Sequence, residues 1–177
     1  VKNYFGGIMD RTFIIITVVV VVWAVLFAIM MSLNKKRQEK AKEFANENQN
    51  RAIVHLYGKN LKIDEQDISQ FDATTGENLE KVVALNGGKH SFEGVFETTA
   101  VGIAGKNINI KTDKLEFDVE LKSGHSYSIG IYDYSPEDRE RYVKEYGSRV
   151  EDILVMPLSL YKESDYAGGC LVVSCDK

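Results

Sequence analysis

Residues 12–33, TFIIITVVVVVWAVLFAIMMSL, contain no charged side chain. A helix rises about 1.5 Å per residue, so the run extends roughly 33 Å, enough for a hydrocarbon core of about 30 Å. In lipid the backbone must satisfy its own hydrogen bonds, and a lone segment does so only as a helix. The β-branched residues 14–22 would favour a strand in water, but a bilayer overrides that preference. Thr12, Thr17 and Ser32 are the polar residues of the run, and a hydroxyl bonds back to the carbonyl one turn earlier. The sequence therefore predicts a single transmembrane helix, and a buried core helix is the weaker reading.

The remaining chain divides unequally around this span. Residues 1–11 (VKNYFGGIMDR) are too short to fold, and either Val1 or Met9 could mark the start of translation. A cleaved signal peptide is not expected, because the apolar run is too long and no small-x-small site precedes Asn34. A pilin-like subunit also begins with an apolar helix, but here Asp10 and Arg11 interrupt the approach and no glutamate sits early in the helix.

Charge separates along the chain. Residues 1–51 carry 8 Lys/Arg against 4 Asp/Glu, and residues 52–177 carry 14 against 22, giving nets of +4 and −8. An acidic domain disfavours a nucleic-acid partner, since phosphate binding needs a basic face. The cluster Lys35, Lys36, Arg37, Lys40 and Lys42 abuts the span and suits anionic lipid headgroups.

Sidedness carries two opposed signals. Lys2 and Arg11 precede the span and five cations follow it, so the positive-inside rule puts the C-terminal domain in the cytoplasm. A short N-terminal tail before a β domain instead suits a signal anchor with its domain outside, and the two cysteines agree weakly. The extracytoplasmic placement is the expectation carried forward.

Residues 34–51 lack Gly and Pro and favour helix, so the helix is expected to continue to about Asn46 before NENQN frays it. Ala41, Phe44 and Ala45 are too few for a coiled-coil seam, which suggests a short basic stalk.

Residues 52–177 read as one β domain. Strands are expected at 52–57, 61–63, 81–85, 91–98, 107–111, 115–121, 126–134, 153–161 and 170–174, with glycines 102 and 105 breaking the chain. Phe92 and Phe96 share one parity, as do Leu115, Phe117, Val119 and Leu121, and Tyr127, Ile129 and Ile131. Ser135 caps a helix over 136–146, with Pro136 in its first turn and Gly147 beyond its end. Tyr142, Val143 and Tyr146 are its expected apolar stripe. The pattern suggests an antiparallel two-sheet sandwich with one short helix.

Two hairpin-like stretches, VVALNGGKHSFEGVFET and LEFDVELKSGHSYSIGIYDY, share the order strand, Gly turn, His-Ser-aromatic strand. Over residues 80–134 they resemble the small Ig-like, transthyretin-like and PEGA-like sandwich domains of bacterial envelope proteins. Gly87 stands where that pattern usually has Pro, and residues 100–105 are an insert. The resemblance implies a binding or spacer role at the cell envelope and no catalysis.

Candidate chemistry is sparse. His55, His90 and His125 form no HxH or HxxxH motif, although His90 and His125 could meet across neighbouring hairpins. Cys170 and Cys175 lie on opposite faces of a straight strand, roughly 16 Å apart, so a disulfide requires an intervening bend. Asp64, Glu65 and Asp67 lack EF-hand spacing and read as a solvated loop. No Ser-His-acid or phosphate-loop arrangement is present, and neither a cofactor nor a metal is expected. The tyrosines 132, 134, 142 and 146 are candidates for a partner surface, although packing of the helix on the sheet also accounts for them. The function expected is a non-catalytic protein-binding or positioning module. A structural accessory subunit of a larger membrane complex is the alternative, and a pilin-like subunit or metal-binding domain fits less well.

Overall fold

In the computed structural model, residues 4–101, 107–147, 149–158 and 168–176 are described, with side chains from residue 11 onward except that of residue 108. The chain divides into two compact units at Glu39/Lys40.

The first unit is helical. Helix α1 runs over Tyr4–Glu47. Its stretch Arg11–Glu47 contains a segment long and apolar enough to cross a membrane. The large apolar side chains from Phe13 to Leu33 are all exposed, as a lipid-facing surface requires. The Thr17 hydroxyl donates to the Phe13 carbonyl at 2.8 Å. Trp23 and Phe27 stack one turn apart, with ring centroids separated by 6.1 Å.

The second unit begins within the last turns of α1. Phe44 packs with Ile53, Val82 and Ala84, and Ala45 lies against the same group. The three apolar residues expected to leave a bare stalk thus include the anchor of the helix end. Asn48 ends α1 by donating from both its amide and its side chain to the Phe44 carbonyl, at 3.1 and 3.0 Å.

Among the described residues ten strands then form two sheets. They are β1 Ala52–Leu56, β2 Gly58–Ile63, β3 Gln66–Asp67, β4 Ala73–Thr75, β5 Lys81–Leu85, β6 Gly88–Val101, β7 Asn107–Leu121, β8 Ser126–Tyr132, β9 Val150–Pro157 and β10 Cys170–Asp176. Helix α2, Pro136–Tyr146, lies between β8 and β9 in sequence. The larger sheet has the order β4-β5-β1-β8-β10-β9 and the smaller β3-β2-β6-β7. The two pack face to face around one core that includes Val54 and Leu56 from β1, Phe92 and Phe96 from β6, Phe117 from β7, and Tyr127 and Ile129 from β8.

The structure corrects the purely antiparallel expectation. β1 and β8 pair in parallel, with Ile53 opposite Ser126 and Leu56 opposite Ile129. A parallel pair needs a crossover. Here it runs through both sheets: β2 and β3 of the smaller, β4 and β5 of the larger, then β6 and β7 of the smaller. The segments expected at 107–111 and 115–121 are one strand, because Thr112 holds the irregularity between them. Its buried hydroxyl accepts from the Phe96 amide at 3.0 Å, beside the register shift between Val95 and Glu97. Thr112→Val keeps the volume but leaves that buried N–H unpaired, which costs about 1–3 kcal/mol of stability, measurable by denaturant unfolding. The expected breaks at Gly102 and Gly105, and the end of the strand expected at 153–161, lie outside the described residues.

Cys170 and Cys175 both lie in β10 and are free, buried thiols. No bend intervenes, for β10 pairs with β8 in continuous register from Cys170 to Cys175. Cys175 joins the core and Cys170 faces the other side of the sheet, so the strand geometry that argues against a disulfide applies.

Candidate functional site

The outer face of the smaller sheet is neutralised by its own charges. Lys59 meets Glu97 at 2.6 Å, and Glu93 takes Lys114 at 2.8 Å and Lys62 at 3.4 Å. Lys89 meets Asp118 at 2.7 Å. These pairs span adjacent strands on an exposed surface, the pattern of a face kept in water.

Helix α2 covers the outer face of the larger sheet at β9. Ser135 caps this helix, its side chain accepting from the Asp138 amide at 3.1 Å, with Glu137 and Asp138 in the first turn. Sequence predicts these bounds and this cap, but the helix buries another side. Arg139 is its buried residue, while Tyr142 and Tyr146 are 55% and 68% exposed. The stripe that faces inward combines Arg139 and the half-buried Val143 at i, i+4, so Tyr142 and Tyr146 do not pack the helix onto the sheet.

Arg139 holds α2 down. Its Nε and Nη2 donate to the two carboxylate oxygens of Asp152 at 2.8 Å each, a bidentate pair. Nη1 donates to the Tyr134 hydroxyl at 3.0 Å, and the guanidinium lies 5.4 Å from the centre of the Tyr132 ring. Tyr132 and Tyr134 stack at 5.1 Å. Strand β9 supplies Asp152 through an irregularity. Leu154 pairs with Val173 but Asp152 with Ser174, so the register shifts at Ile153. Without that extra residue Asp152 would share the parity of Leu154, which packs against the core; the bulge turns it to the α2 side. The Asp152 pair and the Tyr134 hydroxyl hold the Arg139 pKa above its ordinary value despite burial. Burial raises the Tyr134 hydroxyl above its usual range although Arg139 pulls it down. Burial also raises the Cys170 thiol, with Arg139 opposing from nearby.

The four candidate tyrosines therefore split. Tyr132 and Tyr134 are half-buried parts of the clamp. Tyr142 and Tyr146 stack on each other at 5.1 Å and face solvent. A largely apolar groove of about 660 Å³ runs between α2 and β9, lined by Arg139, Val143, Lys144 and Val155 among others. Among the described residues β9 is an edge strand.

The remaining candidates serve the fold. Asp64 turns β2 toward β3 at φ +51° and links that turn to β6. Its carboxylate accepts from the Ser91 amide at 2.9 Å and lies 2.7 Å from His90 Nδ1. Partial burial opposes these bonds, which nevertheless hold the Asp64 pKa below the ordinary value. Asp67 caps a short 3-10 turn through the Ser69 amide at 2.9 Å. Glu65, beside Asp64 in the turn between β2 and β3, is exposed at φ +65°. His90 Nε2 lies 3.0 Å from the Asn86 carbonyl, His125 Nδ1 3.2 Å from the Ser123 carbonyl and His55 Nδ1 3.4 Å from Glu80. Among the described residues no three His, Cys, Asp or Glu side chains converge to hold a metal. Lys35, Lys36, Lys40 and Lys42 are exposed and Arg37 is half-buried, with Lys35 3.9 Å from Glu39.

Sequence reasoning missed Arg139 and Asp152. An arginine among acids on a short helix reads as solvated, and its partner is reached only through the bulge. The chain matches no family model, no curated protein and no solved structure.

Proposed function

We propose that this chain is a single-pass membrane-anchored module whose Ig-like β-sandwich binds or positions a protein partner at the cell envelope, without catalysis. The observation that carries this reading is the placement of Tyr142 and Tyr146. Both are exposed and mutually stacked, on a helix fixed from beneath by a bidentate ion pair. Exposed aromatics on a rigid support are the residue type that dominates interface energetics, since little side-chain freedom is lost on binding.

The double variant Tyr142→Ala/Tyr146→Ala tests this reading. It is expected to lose the complex formed by gently solubilised protein while its melting temperature stays within about 1–2 °C of the parent, because surface substitutions shift stability little. Retention of the complex would remove this surface from the account.

The domain is placed outside the cytoplasm in this reading, with the basic cluster at anionic headgroups. A Glu65→Cys variant in intact cells is expected to react with a membrane-impermeant maleimide, while the buried Cys170 and Cys175 stay silent. Protection that ends only on lysis would put the domain in the cytoplasm.

A further inference from the structure

A second concave surface lies near the opposite edge of the larger sheet from α2. It is a cleft of about 850 Å³ at one end of the sandwich, lined by residues of β2, β5, β6 and β7 and by the loop that enters β5. A volume of this size falls within the range of ligand pockets, about 300–1,000 Å³.

Three features of the cleft point the same way. The first is an open strand edge. β2 pairs with β6 from Ile63 opposite Phe92 to Gly58 opposite Phe96, where β2 begins as the chain arrives from β1 of the larger sheet. β6 continues to Val101, paired with β7 as far as Val101 opposite Asn107. Past Phe96, β6 therefore has a strand on one side only among the described residues. Its open side adjoins Gly58 at the cleft. The second is charge. Lys59, Lys81 and Lys111 line the cleft together with Glu80 and Glu97. Both acids are engaged. Glu97 is held by Lys59, while the Glu80 carboxylate is buried, accepts from the Asn78 amide at 2.8 Å and lies near His55. Lys81 reaches only the Thr75 hydroxyl at 3.4 Å, and Lys111 has no ion-pair partner among the described residues. The cleft thus presents uncommitted cations on an otherwise acidic domain. The third is the rim. Leu79 is 64% exposed at φ +67°, a conformation a branched apolar residue adopts at a cost. It holds an apolar side chain at the mouth of the cleft.

We infer that this cleft takes an extended acidic peptide, added as a strand along the open edge of β6, with its carboxylates on Lys81 and Lys111. Main-chain hydrogen bonds to β6 supply affinity in such strand addition, and the flanking side chains select the sequence. The open edge beyond Phe96 accommodates about five residues, roughly 17 Å of strand. Lys81 lies in β5, on the far side of β1, β8 and β10 from β9, so this site is independent of the α2 surface and stands even if that surface proves idle.

The test uses the full chain in detergent and a fluorescein-labelled octapeptide of alternating Glu with Thr or Val. Saturable binding is expected, weakened about tenfold or more when Lys replaces Glu in the peptide or when alternate peptide nitrogens are methylated. The variant Lys81→Ala/Lys111→Ala, with both side chains exposed in the parent, is expected to keep its melting temperature and to weaken binding by a similar factor. Tyr142→Ala/Tyr146→Ala is expected to bind the peptide unchanged. No binding, equal binding of the methylated peptide, or an unaffected lysine variant would overturn the inference. So would binding of polygalacturonate in place of the peptide, which would make the cleft a site for acidic sugars.

Discussion

Asp152→Ala is expected to lower the stability of the β domain by about 3 kcal/mol, at the lower end of the range for breaking a buried ion pair. The loss exceeds that of the pair itself, because Arg139 stays behind with 9% of its side chain exposed and no counter-ion. A guanidinium cannot shed its proton to escape that environment. Arg139→Met is expected to cost less, since the methionine buries without charge and Asp152, more exposed at 17%, can turn toward water. This asymmetry distinguishes a buried-charge mechanism from simple loss of a contact. Cys170 reports the same event independently. It is fully buried beneath the α2 layer, opposite Tyr132 on β8, and Arg139, Asp152 and Glu137 all act on its thiol. In Asp152→Ala the thiol is expected to react with maleimide in the folded protein, while Cys175, in the core, does not. If Cys170 stays protected and the two variants lose equal stability, α2 is held by something other than the Arg139 clamp.

Phe96→Ala is expected to be at least as damaging, at about 3–5 kcal/mol for a phenylalanine removed from a closed core. Phe96 has no exposed surface, lies 5.8 Å from Phe117 centroid to centroid, and sits beside the Thr112 bond that fixes the β7 irregularity. Neither sheet can close on the void without disturbing that register. Phe44→Ala gives the useful contrast. It uncovers a small cluster, Ile53, Val82 and Ala84, on the outer face of the larger sheet, where water can enter. Its cost is expected to be smaller, about 2 kcal/mol. Denaturant unfolding of the two variants compares them directly, and equal losses would mean that the outer cluster is as closed as the core.

The contrast between Phe96 and Phe44 also shows what the sequence made legible. Alternation placed Phe92, Phe96, Phe117, Val119, Tyr127 and Ile129 on the inner faces, because a half-buried strand writes its core into every second position. The cap at Ser135 and the glycine after Tyr146 placed α2, since both signals are local. Three strands broke the alternation, AIVHL, KVVAL and CLVVSC, and all are largely buried on two faces. That signal announces a covering element on the outer side without naming it. The covers proved to be the end of α1 over Val82 and Ala84, and α2 with its Arg139 clamp near Cys170.

The candidate site was less legible for a physical reason. Tyr142 and Tyr146 look like a helix stripe at i, i+4, and aromatic residues ordinarily bury. The opposite outcome depends on Arg139 finding Asp152, and Asp152 faces α2 only because one extra residue at Ile153 reverses its side. A bulge leaves no periodic trace in a strand as short as β9. The cleft beside β6 escaped for a similar reason: an open edge is defined by where β2 begins, and that is a property of the pairing, not of any one stretch.

The most direct test of the account is site-specific photo-crosslinking in native membranes, with benzoylphenylalanine at position 142 or at Glu116 on the charged outer face of the smaller sheet. The account predicts one discrete protein adduct from position 142 that disappears in Tyr146→Ala, and none from position 116. Equal labelling from both positions, or no adduct from position 142 in membranes where the chain is fully folded, would contradict it.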